Sequence, residues 1–173
     1  MPRAREDNSS VILRSVNHNL NPALGVTVCR AAQREAQTVC ALIEEYYEAI
    51  GVVVRDDRSA LEHYLAAADS SIWLASAGQS PAGCVVLRPL PQIAHAAEVK
   101  RLYVRPAFRA QGIAHALMQA AEDHARREGI QWLYLDTKDD LHAAIHFYLS
   151  MGYEHCPRYN DNPQATIFLR KRL

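Results

Sequence analysis

The sequence is short of several features that would assign a protein to a broad class at once. Its 19 Lys and Arg residues balance 19 Asp and Glu residues, so the formal net charge is zero. Nonspecific nucleic-acid binding depends on neutralising many phosphates with basic side chains, and a neutral chain argues against it. A small anionic ligand stays open, because a neutral protein can still carry a local basic patch.

Cysteine pairs and long apolar runs are also missing. The four cysteines are scattered singly, without a C-x-x-C pair or a short metal-ligand spacing, and a chain of 173 residues does not need disulfides to fold. No apolar run reaches the ~20 residues that cross a bilayer, and the polar segment from Met1 to about Asn21 lacks the apolar core of a secretory signal. We therefore expect reduced thiols in a soluble, cytoplasmic protein without a membrane partner.

The chain does have the composition of one globular domain. Hydrophobic residues make up 49% and charged residues 22%, which are ordinary values for a folded domain. No repeat, linker or shift in composition divides the sequence. We predict a flexible N-terminal extension over residues 1–24 and a single domain over residues 25–173.

Along that domain the hydrophobic pattern alternates between strand and helix periods. The predicted strands are Gly25–Arg30, Ser71–Ala77, Gly83–Leu87, Ala96–Val104, Gln131–Asp136 and Thr166–Arg170. The predicted helices are Gln33–Ile50, Ile113–Glu128, Asp140–Ser150 and a short helix that begins at Ser59. Hairpins combined with crossover helices predict an α/β (α+β) domain, in which helices flank a mixed sheet.

The most informative stretch is E-V-K-R-L-Y-V-R-P-A-F-R-A-Q-G-I-A, residues 98–114. A strand enters a short loop, which becomes the N-terminus of a helix. The first turn of a helix exposes unpaired N–H groups at the positive end of its dipole, and this suits a phosphate or pyrophosphate. Gly112 and Ala114 are small enough for close approach of a ligand, and positive charge is supplied by Arg101, Arg105 and Arg109. An ordinary helix start with a glycine near its N-cap is the alternative.

The strand in this stretch changes phase. Ala97 and Val99 are apolar at odd positions, whereas Leu102 and Val104 are apolar at even positions. Such a switch predicts a β-bulge, which re-aims the neighbouring residues beside a site. The alternative is a strand buried on both faces, where parity carries no information.

The segment resembles the acetyl-CoA-binding core of the GNAT superfamily of N-acetyltransferases. The family signature, Gln/Arg-x-x-Gly-x-Gly/Ala, reads here as Arg109, Gly112 and Ala114. The resemblance covers Ala96 to Gly152, and it implies a GNAT fold with a mixed, mostly antiparallel sheet of about seven strands. It also implies that acetyl-CoA is the co-substrate and is bound by Leu102, Tyr103, Val104, Arg109, Ala110, Gln111, Gly112, Ile113 and Ala114.

Two residues are candidates for acid–base catalysis, because acetyl transfer removes a proton from an amine and favours a proton donor for the departing thiolate. Many GNAT enzymes have a Glu at the position of Glu98, which implies a general base, acting directly or through a water. A carboxylate paired with Lys100 or an Arg is the alternative. Tyr148 lies in a segment similar to the family's second motif, which implies a general acid near the coenzyme sulfur. A packed aromatic ring is its alternative.

The sequence departs from the family pattern at Leu141, where many members have an Asn. A polar contact to the coenzyme is therefore absent or supplied by Asp140 or His142. His142 and His146 have a spacing that could hold a metal, but no accompanying Glu or third ligand is evident, so no metal is expected.

For the acceptor side, the resemblance points to Tyr46, Tyr47 and the loop Pro157–Pro163. We expect an N-acetyltransferase in which a primary amine of a small molecule or peptide attacks the thioester directly. A non-catalytic acyl-CoA-binding sensor or regulatory module is the alternative. Because GNAT proteins often dimerise, a homodimer is a further expectation, and nucleic acid is not expected as a partner.

Overall fold

The computed structural model describes residues 18–21, 25–51, 53, 58–67 and 70–173. The strands are β1 (His18–Asn21), β2 (Val26–Arg30), β3 (Ser71–Ala77), β4 (Ser80–Pro89), β5 (Ala96–Val104), β6 (Trp132–Thr137), β7 (Glu154–His155) and β8 (Ile167–Arg172). The helices are α1 (Ala36–Ile50), α2 (Arg58–Ala66), α3 (Ile113–Arg127) and α4 (His142–Ser150), and short 3₁₀ turns cover Gln33–Glu35 and Pro106–Phe108.

The strands form one sheet in the order β1-β2-β3-β4-β5-β6-β8-β7. The β5–β6 pair is parallel and the other six neighbouring pairs are antiparallel. This architecture confirms the predicted mixed, mostly antiparallel α/β fold. The described residues contain eight strands rather than about seven, because residues 18–21 pair with β2 as an edge strand. The other residues of the predicted extension, 1–17 and 22–24, lie outside the described residues, so its flexibility stays a prediction.

Helices cover both faces of the sheet because the strands in its middle are apolar on both sides. On one face, α3 buries Leu117, Met118 and Ala121 against a cluster that includes Val99 and Leu133. On the other face, α1 buries its own apolar stripe in a second cluster: Leu42, Ile43 and Tyr47 with Ile72, Leu74 and Val86. Each such large apolar side chain contributes about 1.5–3 kcal/mol when fully buried. The sheet is therefore held rigid between two cores, and its strand ends can position a site.

The predicted bulge in β5 is confirmed. Cys84 pairs with Tyr103 and Val86 pairs with Lys100, so that two residues of β5, Arg101 and Leu102, lie opposite the single residue between Cys84 and Val86. Arg101 has a left-handed φ of 55°, a conformation that a β-bulge accommodates. The extra residue explains the change of phase, because the apolar residues before and after it all pack against the α3 core: Ala97, Val99, Leu102 and Val104.

β5 and β6 separate soon after they meet. Their parallel ladder consists of three pairs, Ala96–Trp132, Ala97–Leu133 and Glu98–Tyr134, after which β6 continues to Thr137 paired only with β8. A gap therefore opens between residues 99–104 of β5 and the end of β6. The sequence does not predict this separation, and it determines where a ligand can enter the sheet.

The four cysteines, all of them among the described residues, form no disulfide. Within the described ranges, none of the helices combines the length and the apolar character that crossing a bilayer requires.

Candidate active site

A groove of about 840 Å³ lies in the gap between β5 and β6, bordered by the beginnings of α3 and α4. Eight of the nine predicted coenzyme-binding residues line it: Leu102, Tyr103, Val104, Arg109, Ala110, Gly112, Ile113 and Ala114. Gln111 does not line the groove, and its side-chain amide donates to the carbonyl oxygen of Ala107 at 3.3 Å. The structure thus brings together most of the residues that the signature singled out.

The loop before α3 is shaped to present backbone N–H groups. Ala110 and Gly112 have left-handed φ values of 59° and 78°, and Gly112 is the N-cap of α3. A Cβ added at Gly112 would meet no other protein atom within 4 Å, so the backbone there is open to a ligand. The Arg109 side chain donates to the Val104 carbonyl at 3.0 Å and holds the loop to the end of β5. A pyrophosphate fits such a helix N-terminus.

The three arginines near this loop have different partners. Arg109 and Arg101 line the groove, but Arg105 does not. Arg105 instead binds the Glu45 carboxylate of α1 through Nη2 and Nε, at 2.7 and 3.0 Å, and the Pro81 carbonyl at 2.7 Å. The hydrogen bond from Arg105 is the main reason why the pKa of Glu45 is lowered. This side chain therefore ties α1 to the loop before α3, and its part in neutralising a phosphate stays a prediction.

Tyr148 lines the groove from α4. Its ring is partly exposed there, packs edge-on against Tyr153 with 5.9 Å between centroids, and lies 5.6 Å from the Phe147 ring. Burial, with smaller effects of Tyr46 and Asp136, raises the pKa of Tyr148 well above its usual value. The hydroxyl therefore keeps its proton at neutral pH and is available as a proton donor.

Glu98 lines neither this groove nor the cavity described next. Its side chain is 1% exposed. Oε2 accepts a hydrogen bond from Arg88 Nε at 2.7 Å, and Oε1 accepts from the Tyr159 hydroxyl at 2.9 Å and from Asn160 Nδ2 at 3.0 Å. Lys100 Nζ is 3.4 Å from Oε1. The pairing with Lys100 and an Arg that the sequence offered as an alternative is thus present, and the general-base role stays a prediction.

A second, polar cavity of about 340 Å³ adjoins the groove. In the part of the chain that the structure describes, seven residues line both spaces: Tyr46, Ile50, Lys100, Arg101, Asp136, Thr137 and Leu141. The remainder of its wall comes from Arg88, Lys138 and residues 160–165. Of the predicted acceptor-side residues, Tyr46 and the end of the Pro157–Pro163 loop contribute, whereas Tyr47 is 2% exposed in the α1 core.

Asp136 is the functional candidate that the sequence analysis missed. It lies near the C-terminal end of β6, the kind of position where α/β proteins place binding residues. Its Oδ1 accepts from Lys100 Nζ at 2.8 Å, and its Oδ2 accepts from Asn160 and Asn162 at 2.7 and 3.2 Å. Burial by itself raises the pKa of Asp136, but the charge of Lys100 and the three hydrogen bonds outweigh it and hold that pKa below its usual value. The sequence does carry one sign of this role, because the predicted strand Gln131–Asp136 ends at this residue.

The departure from the family pattern lies at the start of α4. Leu141 is the N-cap of α4 and has no side-chain capping hydrogen bond. Its neighbours Asp140 and His142 both line the groove. These are the two side chains that the sequence offered as substitutes for the family's Asn, and their contact with a coenzyme stays a prediction.

Comparison with known proteins gives a consistent result. The sequence profile described as "Acetyltransferase (GNAT) family" matches residues 36–153. The chain is 31% identical to "Probable N-acetyltransferase 14" of Xenopus tropicalis over 99 residues, which are 57% of this chain and 48% of that protein. It is 28% identical to "N-acetyltransferase 8F1" of Rattus norvegicus over 114 residues, 64% of this chain and 52% of that one. The chain thus spans about half the length of these curated relatives.

Solved structures share the fold. An acetyltransferase of Streptococcus agalactiae superposes with a TM-score of 0.73 at 17% identity, covering 86% of this chain and 99% of that one. The PaiA N-acetyltransferase of Thermoplasma acidophilum, solved in complex with coenzyme A, gives 0.71 at 16% identity over 86% and 99%. The profile match covers well over half of the 173 residues, and it falls on the elements that build the groove. The chain therefore belongs to the GNAT family of acetyltransferases.

Proposed function

We propose that this protein is an N-acetyltransferase that moves an acetyl group from acetyl-CoA to a primary amine of a small molecule or peptide. The observation that carries the proposal is the pair of connected cavities. An extended groove ends at a helix N-terminus suited to a pyrophosphate, and it shares seven wall residues with a smaller polar cavity. A thioester in the groove and an amine in the polar cavity would meet at the shared wall.

On the coenzyme side, the N–H groups of residues 109–114 are suited to the pyrophosphate. The apolar walls of the groove, including Phe108, Ile113 and Phe147, suit the less polar arm that carries the thioester. The bulge at Arg101 and the absence of a β6 partner beyond Glu98 leave the edge of β5 facing the groove. Its N–H groups near Leu102 to Val104 are the proposed donors to the thioester carbonyl, where they would stabilise a developing oxyanion.

The reaction needs no covalent enzyme intermediate, since the amine is itself the nucleophile. An ammonium acceptor first loses one proton, and the freed lone pair forms the C–N bond to the thioester carbon. The C–S bond then breaks, the nitrogen loses a second proton, and the thiolate receives one from the Tyr148 hydroxyl, which is later restored from solvent. The net products are an amide, a free thiol and one proton.

The predicted base, Glu98, would take the acceptor's proton through a water, because its carboxylate lines neither cavity. Asn160 Nδ2 touches both Glu98 and Asp136, and Lys100 Nζ lies near both carboxylates. These two groups link the buried Glu98 to the cavity wall.

Two measurements test the proposal. Calorimetric titration with coenzyme A should give binding, and failure to bind at high micromolar concentration would refute both the enzyme and the sensor. Thiol release from acetyl-CoA, followed with mass detection across polyamines, amino acids, aminoglycosides and peptides, should then identify an acetylated amine. Binding without transfer to any acceptor would instead establish the non-catalytic sensor.

A further inference from the structure

We propose that Asp136 is the residue that binds the ammonium group of the acceptor, and that Glu98 is a positioning residue that acts through the loop from Tyr159 to Asn162. This assignment rests on the proposed acetyl transfer. It gives Glu98 a positioning role in place of the general-base role that the resemblance implies, and it names the charge state in which the acceptor is recognised.

The position of Asp136 is the first argument. Among the described residues, three carboxylates line the two cavities: Asp140 borders only the groove, Asp161 borders only the polar cavity, and Asp136 borders both. An amine that is to attack a thioester must lie at the junction of the two spaces. Asp136 is the carboxylate at that junction.

The hydrogen bonds of Asp136 are the second argument. A carboxylate offers about four lone-pair sites, and the described contacts occupy one on Oδ1, from Lys100, and two on Oδ2, from Asn160 and Asn162. One site on Oδ1 is left for an N–H of the acceptor. The three donors also fix the rotamer of Asp136, and the lowered pKa is in accord with a negative charge at neutral pH.

Glu98 is placed to hold the wall of the polar cavity. Four side-chain hydrogen bonds join the loop to the two buried carboxylates: Tyr159 to Glu98, Asn160 to Glu98, Asn160 to Asp136 and Asn162 to Asp136. Within the loop, Asn160 Oδ1 accepts from the Asn162 N–H, and Asn162 Oδ1 accepts from the Gln164 N–H. Removing the Glu98 charge would loosen two of the four anchors without touching the coenzyme groove.

The test of Asp136 compares two acceptors of similar shape. Benzylamine is an ammonium ion at neutral pH, whereas aniline is uncharged. In Asp136→Asn, we expect KM for benzylamine to rise roughly 10- to 100-fold, which is the loss of one charge-assisted hydrogen bond, while KM for aniline changes less than about threefold. Asp123→Asn, on the surface of α3, is the control for loss of a negative charge.

The possible results distinguish the proposed role of Asp136 from the proposed acetyl transfer itself. A cooperative thermal unfolding transition with a Tm close to that of the wild type shows that Asp136→Asn is folded. An equal loss for benzylamine and aniline would overturn the electrostatic role of Asp136 and leave the acetyl transfer standing. Wild-type protein that binds acetyl-CoA but acetylates no amine would overturn the proposed function and this assignment together.

The test of Glu98 compares the effect of a substitution on KM with its effect on kcat. In Glu98→Gln and Asn160→Ala alike, we expect KM for benzylamine to rise several-fold, with kcat and the acidic limb of the pH–rate profile retained. A fall in kcat of about 100-fold or more in Glu98→Gln alone, with loss of that limb, would identify Glu98 as the general base and refute its positioning role.

Discussion

Gly112 offers a sharp test of the coenzyme cradle, because a methyl group can be added there without a clash inside the protein. Its φ is 78°, and a Cβ would meet no atom within 4 Å apart from those of its two chain neighbours. Gly112→Ala therefore carries only the cost of holding an L-residue in the left-handed region, about 1–2 kcal/mol. For a chain of this size, that corresponds to a fall in Tm of roughly 2–8 °C. The variant stays folded.

The effect on binding should be much larger than the effect on folding. A methyl group beside the helix N-terminus keeps a phosphate away from the N–H groups whose hydrogen bonds the phosphate would accept. Loss of one charge-assisted hydrogen bond corresponds to about 1.5–3 kcal/mol, or roughly a 10- to 150-fold rise in the Kd for coenzyme A. Isothermal titration calorimetry measures this directly, and thermal unfolding of the same samples gives the folding cost.

Gly129 provides a matched control. It follows the other end of α3 with a φ of 75°, it too has no protein atom within 4 Å of an added Cβ, and it does not line the groove. Gly129→Ala should lower Tm by a similar amount and leave coenzyme A affinity unchanged. Equal affinities in the Gly112 and Gly129 variants would refute the assignment of the α3 N-terminus as the phosphate site.

Three further predictions address catalysis, pH dependence and stability. Tyr148→Phe should lower kcat about 100-fold or more while keeping coenzyme A affinity, since it removes the proton donor and keeps the ring; an unchanged kcat in stopped-flow turnover would exclude that role. The Asp136 carboxyl has a pKa held below its ordinary value of 3.8, so its stabilisation is complete above that pH and is lost as the pH falls through the folded-state value. The difference in unfolding free energy between wild type and Asp136→Asn should accordingly shrink in urea titrations from about pH 5 to about pH 3, and a constant difference would contradict the linkage. The Glu122 carboxylate is 1% exposed, and Lys171 binds it at 2.7 Å. Lys171→Met removes this main partner and should lower the unfolding free energy by about 3 kcal/mol with kcat retained. A loss below about 1 kcal/mol would mean that Arg126, 3.3 Å from Glu122, suffices as a partner.

The coenzyme side of the site could be predicted from the sequence because its geometry is local. The loop of residues 109–114 and the bulge at Arg101 are contiguous with the strand and helix that they join, so periodicity and small residues reveal them. The acceptor side could not be predicted in this way. Lys100 and Asp136 are 36 residues apart, and Asn160 reaches Glu98 across 62 residues, so only the folded sheet brings these partners together.

Arg105 illustrates the same limit within the predicted motif. A basic residue beside a phosphate loop is an obvious candidate for charge neutralisation when only the sequence is read. Its carboxylate partner is Glu45, 60 residues earlier on α1, and nothing near Arg105 in the sequence indicates that pairing. Composition gives the net charge of the chain, but it does not show which charged residues form such long-range pairs.

The short ladder between β5 and β6 has a consequence for how the protein comes apart. In the described sheet, these three pairs are the only ladder that joins strands β1–β5 to β6–β8, so few backbone hydrogen bonds hold these two parts of the sheet together. A ligand in the gap contacts β5 on one side and β6 on the other. It would therefore link strands β1–β5 to strands β6–β8, which are otherwise held together mainly by side-chain packing. Amide hydrogen exchange in β8, which does not line the groove, should therefore slow when coenzyme A binds. The gap that admits the ligand is thus also a place where the ligand links two parts of the sheet.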